Sequence, residues 1–229
     1  ADHVGVHEQK DGRRYVGLAP VVGRSSGSTL LKLADAAEAA GSGRIAFTPH
    51  QKVVVLDVDP ARLDALLATA EEIGLTANPG AFRRNTMACT GIEFCKLAFV
   101  DTKDTATAAV EVLDNRLADL GLDVPITLNV NGCPNSCARI QTADIGLKGQ
   151  IAKSPDGADE FAFQVHLGGG LASADREEAG LGRTLRGLKI TAEEMPDYVE
   201  RVTRRFAAER TPGESFATWA HRADEEALR

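Results

Sequence analysis

No stretch of this 229-residue chain approaches the run of about 18 apolar residues that a helix needs to cross a bilayer. No basic segment leading into an apolar core opens it, so its start does not read as a secretory signal. A concentrated basic surface is missing too. The 26 Lys and Arg stand among 33 Asp and Glu, for a net charge of −7. Nucleic-acid affinity depends on clustered positive charge, so that class of function is disfavoured. Strong internal repeats and low-complexity tracts are absent as well. Cysteine is scarce, with four in the chain, and none is left over: Cys89 and Cys95 form one close pair, Cys133 and Cys137 another, with 37 residues between the pairs.

What is present is ordinary for a globular protein. Apolar residues make up 43% of the chain and charged residues 26%. The length allows one large domain or two small ones with real cores. The chain begins at Ala1 rather than Met, and ADHVGVHEQKDGRRY carries no cap or periodic pattern. The expectation is a piece of something longer, or a processed chain.

From residue 13 to 74 the pattern alternates. RRYVGLAPVVG (13–23) is β-rich and stops at Gly23. In STLLKLADAAEAAG (28–41), Leu30, Leu33, Ala34, Ala37 and Ala40 recur at helical spacing, with Ser28 as the expected cap and Gly41 as the stop. RIAFT (44–48) and KVVVLDV (52–58) read as strands joined tightly around Pro49 and His50. PARLDALLATAEEIG (60–74) opens on a first-turn proline and puts Leu63, Leu66, Leu67, Ala70 and Ile73 on one face. Strand, helix, strand, strand, helix is an α+β module. TANPG (76–80) has linker composition.

The second module opens with the first cysteine pair. Residues 104–120 read as a helix, 125–130 as a strand leading into the second pair, and 143–149 and 161–170 as further strands. Tyr198, Val199, Val202 and Phe206 mark a late helix, and 214–228 another. The expected boundaries are 1–78 and 79–229.

If PNSCARIQ begins a helix, Cys133 and Cys137 fall at i and i+4 on one face, with Pro134 in the first turn. Free N–H groups at a helix start suit thiolates. Three chemistries fit two cysteine pairs. Structural zinc favours shorter gaps than the five residues between Cys89 and Cys95. Disulfides are disfavoured in an apparently intracellular chain. An iron–sulfur cluster tolerates these spacings. Spacing alone leaves all three open.

ACTGIEFCKLAFVDTK followed by VNGCPNSCARIQTADIGLKG resembles the signature of sirohaem-containing nitrite and sulfite reductases. The resemblance extends through YVGLAPVVGR and RIAFTPHQ upstream and through QVHLGGGL and WAHRADEEALR downstream. It is similar to the carboxyl-terminal half of the ferredoxin-dependent members. The implied fold is α+β: a ferredoxin-like half-module, the parachute-type repeat, followed by an α/β domain that binds a cluster and sirohaem. The implied ligands of a [4Fe–4S] cluster are Cys89, Cys95, Cys133 and Cys137, with Cys137 also axial to the sirohaem iron and so catalytic. The implied reaction is the six-electron reduction of sulfite to sulfide with reduced ferredoxin. Reduction of nitrite to ammonium is the alternative, and a non-enzymatic iron–sulfur or zinc scaffold is another.

The resemblance also implies cofactor contacts from Thr48 and Gln51, with Arg24 a weaker candidate. The competing reading makes Thr48, Pro49 and His50 a simple hairpin turn. Asn131, Asn135 and Ser136 are candidates for sulfide or ring contacts, against turn and cap chemistry. Arg139, one turn into the expected helix, pairs with a sirohaem carboxylate or faces solvent. Gly168–Gly170 either admit a cofactor to the backbone or form an ordinary turn. The histidines at 3, 7, 50, 166 and 221 lack metal spacing, and His166 reads as packed or surface. Arg201, Arg204, Arg205 and Arg210 make a ferredoxin dock or, by default, a solvated face.

In this family two related halves surround the sirohaem, and the basic residues that grip the small oxyanion lie largely in the amino-terminal half. That half is the implied partner, with ferredoxin the electron donor and the cytoplasm the location. A compact single-half enzyme is the competing expectation.

Overall fold

The structure, a computed structural model, describes residues 2–154, 156–172 and 179–229. The chain divides into two compact units, 1–84 and 85–229. The boundary expected from composition falls a few residues earlier, before the short helix that closes the first unit.

The first unit begins with β1 (Gly5–Glu8) and β2 (Arg14–Leu18), followed by α1 (Gly27–Ala39), β3 (Arg44–Phe47), β4 (Val53–Val58) and α2 (Leu63–Glu72). Its sheet runs β1-β2-β4-β3 and is antiparallel throughout. Val16, Leu18, Val53 and Val55 from the sheet form one buried cluster with Leu33 and Ala37 of α1 and Leu66 and Ala70 of α2. The period-2 and period-3.6 stripes are buried together, as the two patterns require. Strand β1 went unread. It is an edge strand with alternate half-exposed residues, and its polar sequence GVHE gives no apolar alternation. Its His7 stacks on Tyr15 directly across the pair, with centroids 4.6 Å apart.

The cap of α1 is Ser26, not Ser28: its Oγ accepts the N–H of Thr29 at 3.0 Å. Two more serine-type residues follow Ser26, and only the chain's entry direction selects among them. Ser26→Ala is expected to cost about 1 kcal/mol in urea unfolding, the usual worth of a cap.

A short helix, α3 (Ala81–Asn85), leads into β5 (Thr86–Ala88). Next come α4 (Lys103–Arg116), β6 (Leu128–Asn131), β7 (Ile145–Lys153), β8 (Asp159–Leu167), β9 (Arg183–Ile190), α5 (Met195–Glu209), α6 (Phe216–Arg222) and α7 (Glu225–Leu228). The sheet order is β5-β6-β7-β8-β9, parallel across the first three strands and antiparallel across the rest. Strand β9 was not anticipated: Arg183, Arg186 and Lys189 interrupt its apolar pattern, and its pairing with β8 shifts register between Gln164 and His166.

Register sorts the sheet into two kinds of row. Leu128, Ile145 and Leu167 align, as do Val130, Leu147 and Val165, and all six are fully buried. The rows on the opposite face are Asn129–Gly146–His166 and Asn131–Lys148–Gln164. Phe206, Phe216 and Trp219 pack ring against ring at 5.3 to 5.6 Å and tie α6 to α5. Two arginines of α5 are ion-paired, Arg204 with Asp119 and Glu200 and Arg205 with Glu209, as is Arg210 just beyond the helix with Asp123, while Arg201 donates to the Arg229 carbonyl. They fit the solvated-face reading. Among the described residues no helix is long and apolar enough to cross a membrane.

Candidate metal centre

Both cysteine pairs follow the carboxyl ends of adjacent parallel strands. Cys89 comes directly after β5, and Cys133 lies two residues past β6. Loops at this end of a parallel sheet are where open α/β folds place ligands. The ladder continues one step beyond β5, with Cys89 N–H donating to the Val130 carbonyl at 3.0 Å.

The two loops are then laced together. Gly132 N–H donates to Cys89 Sγ at 3.2 Å, and Phe99 N–H donates to the Gly132 carbonyl at 2.8 Å. The hydroxyl of Thr102, a fully buried residue, donates to the Cys89 carbonyl at 2.7 Å and lies 3.8 Å from its sulfur. Backbone donors to a cysteine sulfur favour the thiolate and set the potential of any cluster it holds. Nothing in the sequence signalled Thr102, whose role depends on the fold of the intervening loop.

The expected helix over residues 134–141 is not formed. The segment is a run of turns, with Ser136 (φ 57°) and Arg139 (φ 56°) in the left-handed region, and only a 3-10 turn at Ile140–Thr142. A helix cannot pass through two such residues. The i and i+4 spacing was therefore satisfied by a loop, and helix-dipole stabilisation of Cys137 does not apply.

Side chains hold this loop instead. Asn131 donates from Nδ2 to the Cys133 carbonyl at 2.7 Å and accepts the Ala138 N–H on Oδ1 at 2.8 Å. Both ends of its amide thus bond to the backbone of this loop. Asn129 Nδ2 donates to the Arg139 carbonyl at 3.3 Å, and Ser136 Oγ accepts the Ile140 N–H at 3.1 Å and donates to Gln141 Oε1. The Arg139 guanidinium lies 3.3 Å from Met87 Sδ on β5. Asn135 is exposed at the loop's apex.

The sulfurs differ in depth. Cys133 is buried, Cys89 and Cys95 are half-buried, Cys137 is exposed, and all four are free thiols. Around them the first loop exposes four large apolar side chains, Ile92, Phe94, Leu97 and Phe99, with Phe94 77% accessible. Flanking Cys95 in IEFCKLAF, they are a sequence signal for an apolar surface beside that cysteine.

In HLGGG, Gly169 admits a close approach of backbone. A Cβ at Gly169 would sit 2.2 Å from the Gln141 carbonyl oxygen, and Gly169 N–H donates to the Ala143 carbonyl at 2.9 Å. This seats the end of the second cysteine loop on β8. His166 is packed, as expected: its Nδ1 lies 3.0 Å from Thr184 Oγ1, and burial, then the charge of Lys148, lowers its pKa.

Thr48 and Gln51 belong to the first unit. Thr48 Oγ1 accepts the N–H groups of His50 (3.2 Å) and Lys52 (3.3 Å), and Gln51 takes a left-handed φ of 56°. The hairpin-turn reading accounts for this geometry. Arg24 follows the turn at Val21–Gly23.

All four candidate ligands are cysteine thiols, a donor set that suits zinc or an iron–sulfur cluster. Among the described residues, no three His, Cys, Asp or Glu converge as they would around a single ion. Four-thiolate zinc needs every sulfur at about 2.3 Å from one centre. A four-iron cluster takes one cysteine per iron, which spaces the sulfurs more widely. Two laced thiol loops, with a backbone N–H already on one sulfur, fit the cluster.

Residues 79–229 match the family described as the nitrite and sulphite reductase 4Fe-4S domain, and residues 7–73 match the nitrite/sulfite reductase ferredoxin-like half domain. The chain belongs to the nitrite and sulphite reductase family. Within that family it is 54% identical, over its whole length, to sulfite reductase [ferredoxin] 2 of Mycolicibacterium paratuberculosis, and covers 41% of that protein. An assimilatory ferredoxin-dependent nitrite reductase of Haloferax mediterranei is 39% identical over 96% of the chain, which covers 36% of it. The solved structure of the Mycobacterium tuberculosis NirA protein superposes with a TM-score of 0.95 at 52% identity, covering all of this chain and 42% of that one. Dissimilatory sulfite reductase I shares the fold, with a TM-score of 0.71 at 15% identity. The chain thus spans about two fifths of the length of the sulfite reductases it matches.

Proposed function

We propose that this chain is the cluster- and sirohaem-bearing part of a ferredoxin-dependent sulfite reductase that takes sulfite to sulfide in six one-electron steps. The observation that carries this is the pairing of two cysteine loops at the carboxyl ends of β5 and β6, with sulfur depth graded from buried Cys133 to exposed Cys137. Cys89, Cys95 and Cys133 anchor the cluster from the protein side. Cys137, the exposed ligand, is the sulfur able to reach outward to the iron of a second cofactor. When bound, the two cofactors would supply electrons one at a time for reduction of the oxyanion. Gly132 N–H and the Thr102 hydroxyl hold Cys89 in place. Ser136, Asn135 and Arg139 lie on the loop beside Cys137 and are the nearest candidates for contacts to the tetrapyrrole's carboxylates. Thr48 and Gln51 are proposed as further contacts from the first unit.

Sulfite is favoured over nitrite because the sulfite reductases are 52–54% identical to this chain and the nitrite reductases 34–39%. Ferredoxin as donor follows the names of the same relatives, and a cytoplasmic location is proposed with it. The amino-terminal half of the same enzyme is the proposed cover for Ile92, Phe94, Leu97 and Phe99. An apolar patch of this kind marks a surface meant to be buried.

The full-length protein is expected to show the Soret and red absorption bands of sirohaem and to turn over sulfite faster than nitrite with reduced ferredoxin. A broad brown shoulder alone would favour a cluster scaffold, and a colourless protein would rule out both cofactors. The isolated 229 residues, reconstituted with iron and sirohaem, are expected to be inactive. Full turnover by them would favour the compact single-half enzyme.

A further inference from the structure

We propose that Asn131 is the positioning residue for Cys137, setting where that sulfur stands relative to Cys133. The inference rests on the reading of both cysteines as cluster ligands. Cys137 is exposed, so packing constrains its sulfur less than that of buried Cys133. Its position depends on the two ends of the loop that carries it, and one side chain holds both. Asn131 closes β6, is wholly buried, and spends its amide on the Cys133 carbonyl at one end and the Ala138 N–H at the other. In a helix the Cys133 carbonyl would accept the N–H of residue 137. With Ser136 left-handed, the Asn131 amide takes that carbonyl instead.

A carboxamide offers a donor and an acceptor on one rigid plane. It therefore closes residues 133–138 into a ring of fixed span. The ring is oriented by the strand pairing itself, since Asn131 lies in register with Lys148 of β7. Asn129, two residues earlier on the same face, steadies the loop beyond the ring through the Arg139 carbonyl.

The test uses Asn131→Asp and Asn131→Leu in the full-length protein. Asp keeps the acceptor for Ala138 but turns an oxygen toward the Cys133 carbonyl. Leu keeps approximate size and makes neither bond. In metal-free protein, alkylation of buried Cys133 is expected to rise about tenfold in the Asp variant, the equivalent of one lost hydrogen bond, and further in the Leu variant, which loses two. In molecules that retain both cofactors, the electron paramagnetic resonance signature of haem–cluster coupling is expected to change in both variants. The cluster's reduction potential is expected to fall further in the Asp variant, because added negative charge disfavours the reduced cluster.

Should either variant fail to fold, Asn131→Ser retains one hydroxyl contact and is expected to show the same changes at smaller amplitude. Folded variants with wild-type alkylation rates and an unaltered coupling signature would overturn the role of Asn131. Faster alkylation in a protein whose wild type binds no iron would keep the loop clamp but overturn the metal reading, and with it the role at Cys137.

Discussion

Cys137→Ser in the full-length enzyme is expected to cut sulfite reduction by more than about 100-fold. Partners one shell out from a metal are already worth about 10–100-fold, and a direct ligand shared by two cofactors, the role proposed for Cys137, would be worth more. The expected signature is selective. Cys137 is exposed, and among the described residues its sulfur makes no hydrogen bond, so its loss should spare the fold and, under the proposed bridging role, spare much of the cluster while ending communication with the haem. Cys89→Ser should behave differently. Cys89 Sγ accepts the Gly132 N–H, and its carbonyl holds Thr102, so the substitution disturbs the lacing of both loops and is expected to lose the cluster first. Iron content, sirohaem content and paramagnetic coupling, measured on both variants, separate the two. Equal loss of both cofactors in each would leave the bridging assignment unsupported.

Gly146→Ala is expected to destabilise the protein by about 3 kcal/mol, at the upper end of ordinary overpacking. A Cβ on Gly146 would stand 2.1 Å from the Ile140 carbonyl oxygen and 2.8 Å from its carbon. That obstacle is backbone, so no rotamer change relieves it. Gly146 sits between Asn129 and His166 on the polar face of the sheet, and the missing side chain is the slot through which the end of the second cysteine loop passes. Relief must come by lifting residues 139–142, which moves the loop bearing Cys137. Cluster content should fall together with the urea midpoint. Gly43→Ala, with nothing within 4 Å of its Cβ, is the matched control and should stay within about 0.5 kcal/mol of wild type. A Gly146→Ala midpoint no lower than the control's would contradict this account.

Elements with a one-sided apolar stripe were legible in advance. Leu33, Ala37, Leu66 and Ala70 marked α1 and α2, and Val53 and Val55 marked β4, because one face of each is buried in a common cluster. Strand β1 escaped because an edge strand buries too little to leave a pattern, and β9 because charges alternate with its two fully buried positions, Leu185 and Ile190. The helix expected after Cys133 failed for a different reason. Spacing of i and i+4 is equally available to a loop once Ser136 and Arg139 turn left-handed, and that choice is imposed by side-chain hydrogen bonds from Asn129 and Asn131.

Four cysteines in two close pairs marked a metal centre with its identity open, and the resemblance of the stretches around them to sirohaem reductases named the chemistry, because such motifs are written along the chain and need no folding to be seen. Which sulfur is buried and which reaches outward could not be read there. Depth depends on β5, β6 and β7 aligning residues some forty positions apart, from Thr86 to Leu128, and on Gly132 meeting Cys89 across that pairing. Such contacts have no local signature, since any of several registers would satisfy the apolar alternation and only the packed sheet selects one.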